Sequence, residues 1–441
     1  MVEEKQQDDF MESLSRFFSI EQNHSSIRTE VLAGITTFLA MAYITVINPA
    51  ILSETGMDFG AVFVATCIAA AFGSIAMGLL GNYPIAQAPG MGQNAFFTYG
   101  IVLGMGHAWE TALGAVFISG IIFIILSILP VREWLINAIP KNLKLGISAG
   151  IGLFLGMIAL KNAGIIVDNP ATLVSLGSLT QAGPMICLAG FMVIVALTSR
   201  QIMGAVIIGM LLATAIGWAT GTAEFVGIVS MPPSPAPVFL KLDIMAALEV
   251  SMLTVILTLL LVDVFDTAGT MVGVATRAGL VKEDGKLPRL GKALLSDSGA
   301  TAVGALAGTS STTSFIESAA GVETGGRTGL VAVVVGIMFL LCLFLAPLAQ
   351  SVPAYATASA LLFVACIMAK SLGDLDWDDI TEAAPAVMCA VAMPLSFSIA
   401  DGIGLGFITY AVVKLLSGKA TQCPIAVYAI ALVFAAKFAF L

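Results

Sequence analysis

Charge is scarce in this sequence. Only 11% of its 441 residues are Asp, Glu, Lys or Arg, where soluble domains carry about 25%. The few charges sum to −9 and form no basic stripe, which excludes a nucleic-acid binder. Histidine occurs twice, His24 in an N-terminal tail and His107 in a loop, so a buried protonation switch would have to be carboxylic. The six cysteines are scattered with no Cys-x-x-Cys pair, which excludes a disulfide framework; they read as small apolar fillers. His-Glu-x-x-His and Gly-x-Ser-x-Gly are missing, and Gly285 to Ala293 only grazes a phosphate loop, alanine standing where Ser or Thr is needed. No enzyme class, cofactor or metal is therefore expected.

What the chain has in excess is apolar surface. It is 58% hydrophobic with a mean hydropathy of +1.00, more than a water-soluble core of this length can hide, so the solvent must be a lipid bilayer. The first 28 residues are polar and read as a cytoplasmic tail. Within them Phe10, Leu14, Arg16, Phe17 and Phe18 have near-helical spacing, fitting either a membrane-surface helix or a loose tail. Apolar runs follow at about 30–52, 60–81, 85–105, 108–130, 143–163, 183–199 and 202–220, then a proline-rich break over 221–246. A second series runs at about 247–276, 292–308, 309–327, 328–349, 354–371, 384–400 and 402–417, and a last stretch, 423–441, either crosses the bilayer or lies along it. With the N-terminus inside, the alternation leaves only Lys161 and Lys241 outside, while Arg28, Arg132, Lys144, Arg277, Lys282, Lys286, Lys414 and the other basic loop residues fall inside, as the positive-inside rule asks.

Seven spans followed by seven give two halves of opposite orientation. Pro140-Lys-Asn-Leu resembles Pro353-Ala-Tyr-Ala at the head of matching spans, and Ala182-Gly-Pro resembles Ala383-Ala-Pro. Inverted repeats of this kind point to a transporter.

The third span of each half is a poor membrane helix. Pro84, Pro89, Gly90 and Gly92 interrupt one; six consecutive hydroxyl residues, Thr309 to Ser314, interrupt the other. Either both are extended strands leading into half-helices that start near Gly92–Asn94 and Ser314–Glu317, or both are kinked helices packed on glycine. Laying Pro89 over Thr312 sets Asn94 opposite Glu317. The eighth span carries Asp263 and Asp266, three residues apart and so on one helix face, with Thr267 and Thr270 beside them. They are buried acids, or residues solvated near the inner helix end; no lysine or arginine is expected at their depth. Each such carboxylate costs about 2.5–3.5 kcal/mol to insert, and carboxylates without counter-ions suit proton coupling. Glu323 reads as a helix-end residue near Arg327.

Four segments carry a family resemblance: Arg28 to Tyr43 with Asn48-Pro49, Ala88-Pro-Gly-Met-Gly-Gln-Asn-Ala-Phe-Phe97, Val264-Phe-Asp-Thr-Ala-Gly-Thr270, and Gly308 to Gly321 with Gly325-Gly-Arg-Thr-Gly329. Across residues 26–440 the chain resembles the adenine/guanine/hypoxanthine permeases, the AzgA-like branch of the nucleobase–cation symporters, which share their fold with uracil and xanthine permeases. The resemblance implies an all-α polytopic membrane protein of about 14 transmembrane segments in a 7+7 inverted repeat, with short β-strands and half-helices in segments 3 and 10. It implies a core domain (29–130 and 247–349), a gate domain (131–246 and 350–417) and a C-terminal apolar segment (418–441). It also implies a homodimer through the gate domain, in the plasma (inner) membrane. Substrate would be held by Glu317, by Asp263 or Asp266, and by Asn94.

The mechanism expected is proton-coupled import of a purine nucleobase. Asp266 would carry the proton, with Glu317 and Asp263 sharing in the coupling. Amides around Ala95 and Phe315 would meet one edge of the base, and Phe96, Phe97 or Phe265 would stack on its face. A uracil or xanthine symporter, an anion transporter of the same fold, and an intramembrane enzyme or passive channel are the rival readings. Gln93, where relatives usually carry an apolar residue, and Glu323, where alanine is common, would alter substrate preference.

Overall fold

The computed structural model describes residues 11–129, 139–281 and 287–440. Phe10, Arg132, Lys282 and Lys286 from the sequence reading lie outside them. The first half contains α1 (Ile27–Met41), α2 (Ile44–Ser53), α3 (Phe59–Ala76), β1 (Gln87–Pro89), α4 (Met91–Ala95), α5 (Trp109–Ile128), α6 (Lys141–Asn162), a hairpin of β2 (Ile166–Asn169) and β3 (Leu173–Leu176), α7 (Ala182–Ser199) and α8 (Ala205–Ala219). The second contains α9 (Ile244–Ala247), α10 (Leu253–Arg277), α11 (Leu290–Ala307), β4 (Thr312–Ser314), α12 (Ser318–Glu323), α13 (Gly329–Cys342), α14 (Ala346–Gln350), α15 (Ala354–Ala369), α16 (Ile380–Ser396), α17 (Ile399–Leu416) and α18 (Ile425–Phe440). Among the described residues nine helical stretches are long and apolar enough to cross a membrane, and three shorter apolar helices join them.

The seventh and thirteenth expected spans are among the three shorter helices, and the third, ninth and tenth are in neither set. β1 and β4 interrupt two of them, and α11 carries Ser296, Asp297, Ser298 and Thr301 in its middle. The other spans stand where the apolar runs put them, with shifted ends. The last two begin earlier than the runs, because Asp379 accepts from Thr381 N and Ser398 from Asp401 N, and these N-caps set the helix starts. The β2–β3 hairpin had no sequence signal and is largely exposed.

Two groups of helices pack together. α1, α3, α5, α10, α11 and α13 surround the β1–β4 pair; α6, α15, α16 and α17 form the second group, with α7 and α8 outside α15. The strand pair is antiparallel, Gln87 opposite Ser314, Ala88 opposite Thr313, Pro89 opposite Thr312. Its logic is hydrogen-bond accounting: both strands are wholly buried, so every backbone group freed by the broken helix needs a partner. Gly90 N donates to Ser311 O at 2.9 Å and Phe315 N to Ala86 O at 2.9 Å, and Ala86 N donates to Ser318 Oγ at 3.0 Å. The break is therefore strand and half-helix in both halves, not a kink. At Gly90 any side chain would collide with Gln93 and Thr313. Gly308 turns α11 into β4 at φ +103, a region costly for other residues, with Val238 of the proline-rich break pressed against it.

The N-terminal residues 11–18 are helical, and neither the membrane-surface nor the loose-tail reading describes them fully. Phe17 is exposed, but Phe18 and Ile20 are buried against Leu330. Asn82 holds the junction, donating to Phe18 O at 2.9 Å and accepting from Gly329 N at 2.7 Å. The cysteines are free; Cys423 is buried although it ends an apolar run, and Cys366 is exposed.

Candidate functional site

The site is built where the tips of α4 and α12, positioned by their strands, face α10 and α11. Asp263 is wholly enclosed. Gln93 Nε2 donates to its Oδ1 at 3.0 Å and Thr301 Oγ1 to its Oδ2 at 3.0 Å. The same Thr301 oxygen accepts from Thr312 N at 3.2 Å, which ties this carboxylate to β4. One helical turn on, Asp266 is exposed. The two acids do share the turn, but the fold separates their surroundings: one is clasped by neutral donors, the other opens to a water-accessible space.

Glu317 stands at the N-cap of α12, half-buried. Tyr43, in the break between α1 and α2, donates its hydroxyl to Glu317 Oε1. Asp266 and Glu317 sit on α10 and at the tip of α12, two elements that pack against each other. Asn94, fully buried, accepts from Ser310 through Oδ1 while its Nδ2 has no partner; Gln93 Oε1, Ser311 Oγ and Thr312 Oγ1 are also buried without one. Buried orphans of this kind are costly, and here they cluster around α4 and the start of β4.

Several expectations change. The Phe315 amide is spent on the strand ladder, so it is not free for a ligand. Ala95, Phe96 and Phe97 are enclosed, with the Phe96 ring packed against Gly100 of its own helix. Phe265 is nearly buried, and Lys144 of α6 lies with Nζ 5.7 Å from its ring centroid. A lysine does therefore reach this depth, arriving from another span, which no linear reading of α10 could show. Glu323 pairs with Arg277 at 3.2 Å on the surface rather than with Arg327, whose guanidinium is spent on the Val322 and Gly326 carbonyls.

A second enclosed acid at the site was missed. Asp297 of α11 is fully enclosed; Gln87 Nε2 donates at 2.8 Å, Ser314 Oγ at 3.0 Å and Thr267 Oγ1 at 2.6 Å. Its signal was present as a carboxylate flanked by two serines inside an apolar run. Tyr43 was likewise within the Arg28–Tyr43 motif, without a role. Asp297 stitches β1, β4 and α10 together, since Thr267 also meets Thr313 at 2.8 Å.

Chemically, this is a compartment of neutral donors around enclosed carboxylates, with two further carboxylates, Asp266 and Glu317, facing open space. It can accept N–H groups from a planar polar ligand and exchange protons with it.

Residues 28–405 match the Permease family, Xan_ur_permease. The chain is 48% identical over 428 residues to the adenine permease AdeP of Escherichia coli strain K12, covering 97% of this chain and 96% of that one. It is 46% identical over 440 residues to the guanine/hypoxanthine permease PbuG of Bacillus subtilis strain 168, covering 97% and 100%. In structure it is similar to the transmembrane domain of the cyanobacterial bicarbonate transporter BicA, with a TM-score of 0.64 at 15% identity over 85% of this chain and 96% of that one. At that identity the likeness shows the fold, a 7+7 inverted repeat.

Proposed function

The chain belongs to the permease family Xan_ur_permease, an integral membrane transporter and not an enzyme, and from that premise we propose that it imports purine nucleobases by proton symport. The observation that carries this reading is the pair of accessible acids. Glu317, fixed by Tyr43, would accept the N–H edge of a neutral base, and Asp266, on the helix packed against α12, would carry the coupling proton. The unpartnered Asn94 Nδ2 and Gln93 Oε1 offer a donor and an acceptor for complementary positions on the base. Asp263 and Asp297, clasped by hydroxyl and amide donors, hold the scaffold rather than the proton. Relatives that are adenine and guanine/hypoxanthine permeases support a purine as the base. Phe265, at the edge of the site, is the ring placed to flank it.

In this reading the N-terminus is cytoplasmic, and the two helix groups act as the core (29–130 and 247–349) and gate (131–246 and 350–417) domains, moving against each other as near-rigid bodies. The gate domain also supplies a homodimer contact in the plasma membrane. One positive charge carried inward through 100 mV supplies about 2.3 kcal/mol, roughly a fifty-fold accumulation.

The test is uptake of labelled adenine by cells lacking their own purine permeases, with a protonophore and with hypoxanthine, guanine, uracil and xanthine as competitors. Protonophore-sensitive uptake blocked by purines alone is the expected result. Competition by uracil, or uptake indifferent to the protonophore, overturns the reading.

A further inference from the structure

Accessibility around the site is one-sided. Along α10 the exposed positions Asp266, Gly269, Val272, Thr276 and Arg277 lead from the site to the Arg277 end, and Ile316 and Glu323 are exposed across from them. The opposite side is shut by residues from both helix groups. Glu54, at the C-cap of α2, accepts from Tyr99 Oη at 2.6 Å and from Asn162 Nδ2 at 3.1 Å, and Asn162 also donates to Tyr99 Oη at 3.3 Å. The Tyr99 ring stands edge-on to Phe154 and Phe397, each with centroids 6.5 Å away, and those two rings are 5.6 Å apart.

The backbone at this closure is unusual in two places. Tyr99 lies in a π-helical stretch, Phe96–Gly104, that continues α4; such widened turns recur at functional sites. Phe397, between α16 and α17, is held at φ 55, a conformation costly for a bulky residue unless its surroundings enforce it. Glu54, on α2 packed against α3, and Tyr99, on the stretch continuing α4, belong with the helix group around the strand pair, whereas Phe154, Asn162 and Phe397 belong to the other. Separation of the two groups at this seam breaks the bonds of Asn162 to Glu54 and Tyr99 and parts the Tyr99 ring from Phe154 and Phe397.

We propose that Glu54, Tyr99 and Asn162, with the rings of Phe154 and Phe397, are the outer gate of the transport cycle. They hold the site closed on the outer side while it is open toward Arg277. The closure is suited to repeated opening because its polar contacts across the seam are two hydrogen bonds and its Tyr99 ring contacts are edge-to-face, each modest. The sidedness rests on the proposed orientation with the basic end inside.

The experiment uses the full-length protein with exposed Cys366→Ser, and Gly269→Cys as reporter, a position where an added side chain meets nothing within 4 Å. A membrane-impermeant maleimide is applied to intact cells and, separately, to inside-out vesicles. We expect the reporter to react in the vesicles and at least several-fold more slowly in cells. Tyr99→Phe, which keeps the ring, and Asn162→Ala should each raise labelling from outside several-fold. Tyr83→Phe, which removes a hydroxyl bound to Pro288 O elsewhere, should leave it unchanged. Outside labelling that stays the same in both gate variants, or a parent reporter that already reacts from outside, overturns the gate. Labelling needs no substrate, so a shift in labelling without purine uptake would sink the substrate reading and leave the gate standing.

Discussion

Two clusters of carboxylates withdrawn from solvent, one near Glu382 and one around Asp263, are held by different chemistry. At the proposed gate domain's Arg277-side end, Glu382 meets the fully buried Lys414 at 2.6 Å, accepts from Tyr410 Oη at 2.7 Å and from Asn142 Nδ2 at 3.0 Å. Beside it Asp379 pairs with Lys419 at 2.7 Å. At the site between α4, α10, α11 and α12, Asp263, Asp297 and Glu317 take their hydrogen bonds from amides and hydroxyls. A carboxylate paired with an ammonium is committed to staying charged. One held by neutral donors can change its protonation or accept a ligand's N–H without stranding a cation. The first arrangement fits a fixed part of the fold, the second a working one.

The sharpest way to break that comparison is Lys414→Met. It leaves Glu382 without its cation, and we expect a loss of about 3–5 kcal/mol of stability, read as a fall in the thermal transition of purified protein. Adding Glu382→Leu should recover much of it; if the double variant is no better than the single, the pair is not the cause.

Glu317→Gln should behave in the opposite way. Tyr43 can still donate to the amide oxygen, so the protein should remain folded in the membrane. Loss of a charge-assisted bond worth about 1.5–3 kcal/mol should reduce purine uptake roughly 10- to 150-fold. Wild-type uptake by this variant would remove Glu317 from the site.

Gln87→Leu tests whether Asp297 is scaffold. It deletes one of three donors, costing about 1.5–3 kcal/mol of stability. Measured competition between adenine, guanine and hypoxanthine should keep its order. A changed order would put Asp297 in contact with substrate.

The smallest effect concerns Asp379, which lies outside the spans at the start of α16. The Lys419 ammonium beside it holds its carboxyl well below the usual carboxylate range. A carboxyl depressed on folding stabilises above the ordinary carboxylate pKa, and that contribution is lost as pH falls through the depressed value. The small stability gap between wild type and Asp379→Asn should thus be widest near neutrality and close in acid.

The site was partly legible because membranes are intolerant. Acids in an apolar helix, proline and glycine in a span, and six hydroxyls in a row are conspicuous wherever water is absent, and this is why Asp263, Asp266, Asn94 and Glu317 stood out. Asp297 escaped because its span opens soon after a basic loop and reads as a moderately polar helix. Lys144 escaped because it was read as an orientation signal at a helix start, although α6 lays its side chain over Phe265. The division of labour between Asp263 and Asp266 was beyond a linear reading, since three residues along a helix fix a shared face but not what packs against it.

The sequence by itself determined the solvent, the order of the apolar runs, the two breaks, and which residue types had to be buried at a cost. Those follow from local composition, because lipid penalises each exposed polar group independently of its neighbours. Only the tertiary structure decided which acids are clasped and which are open, that Tyr43 holds Glu317, and that Glu54, Tyr99 and Asn162 meet on one side while the other lies open. Those are contacts between residues tens to hundreds of positions apart, set by how two inverted halves pack, and no local pattern encodes the pairing.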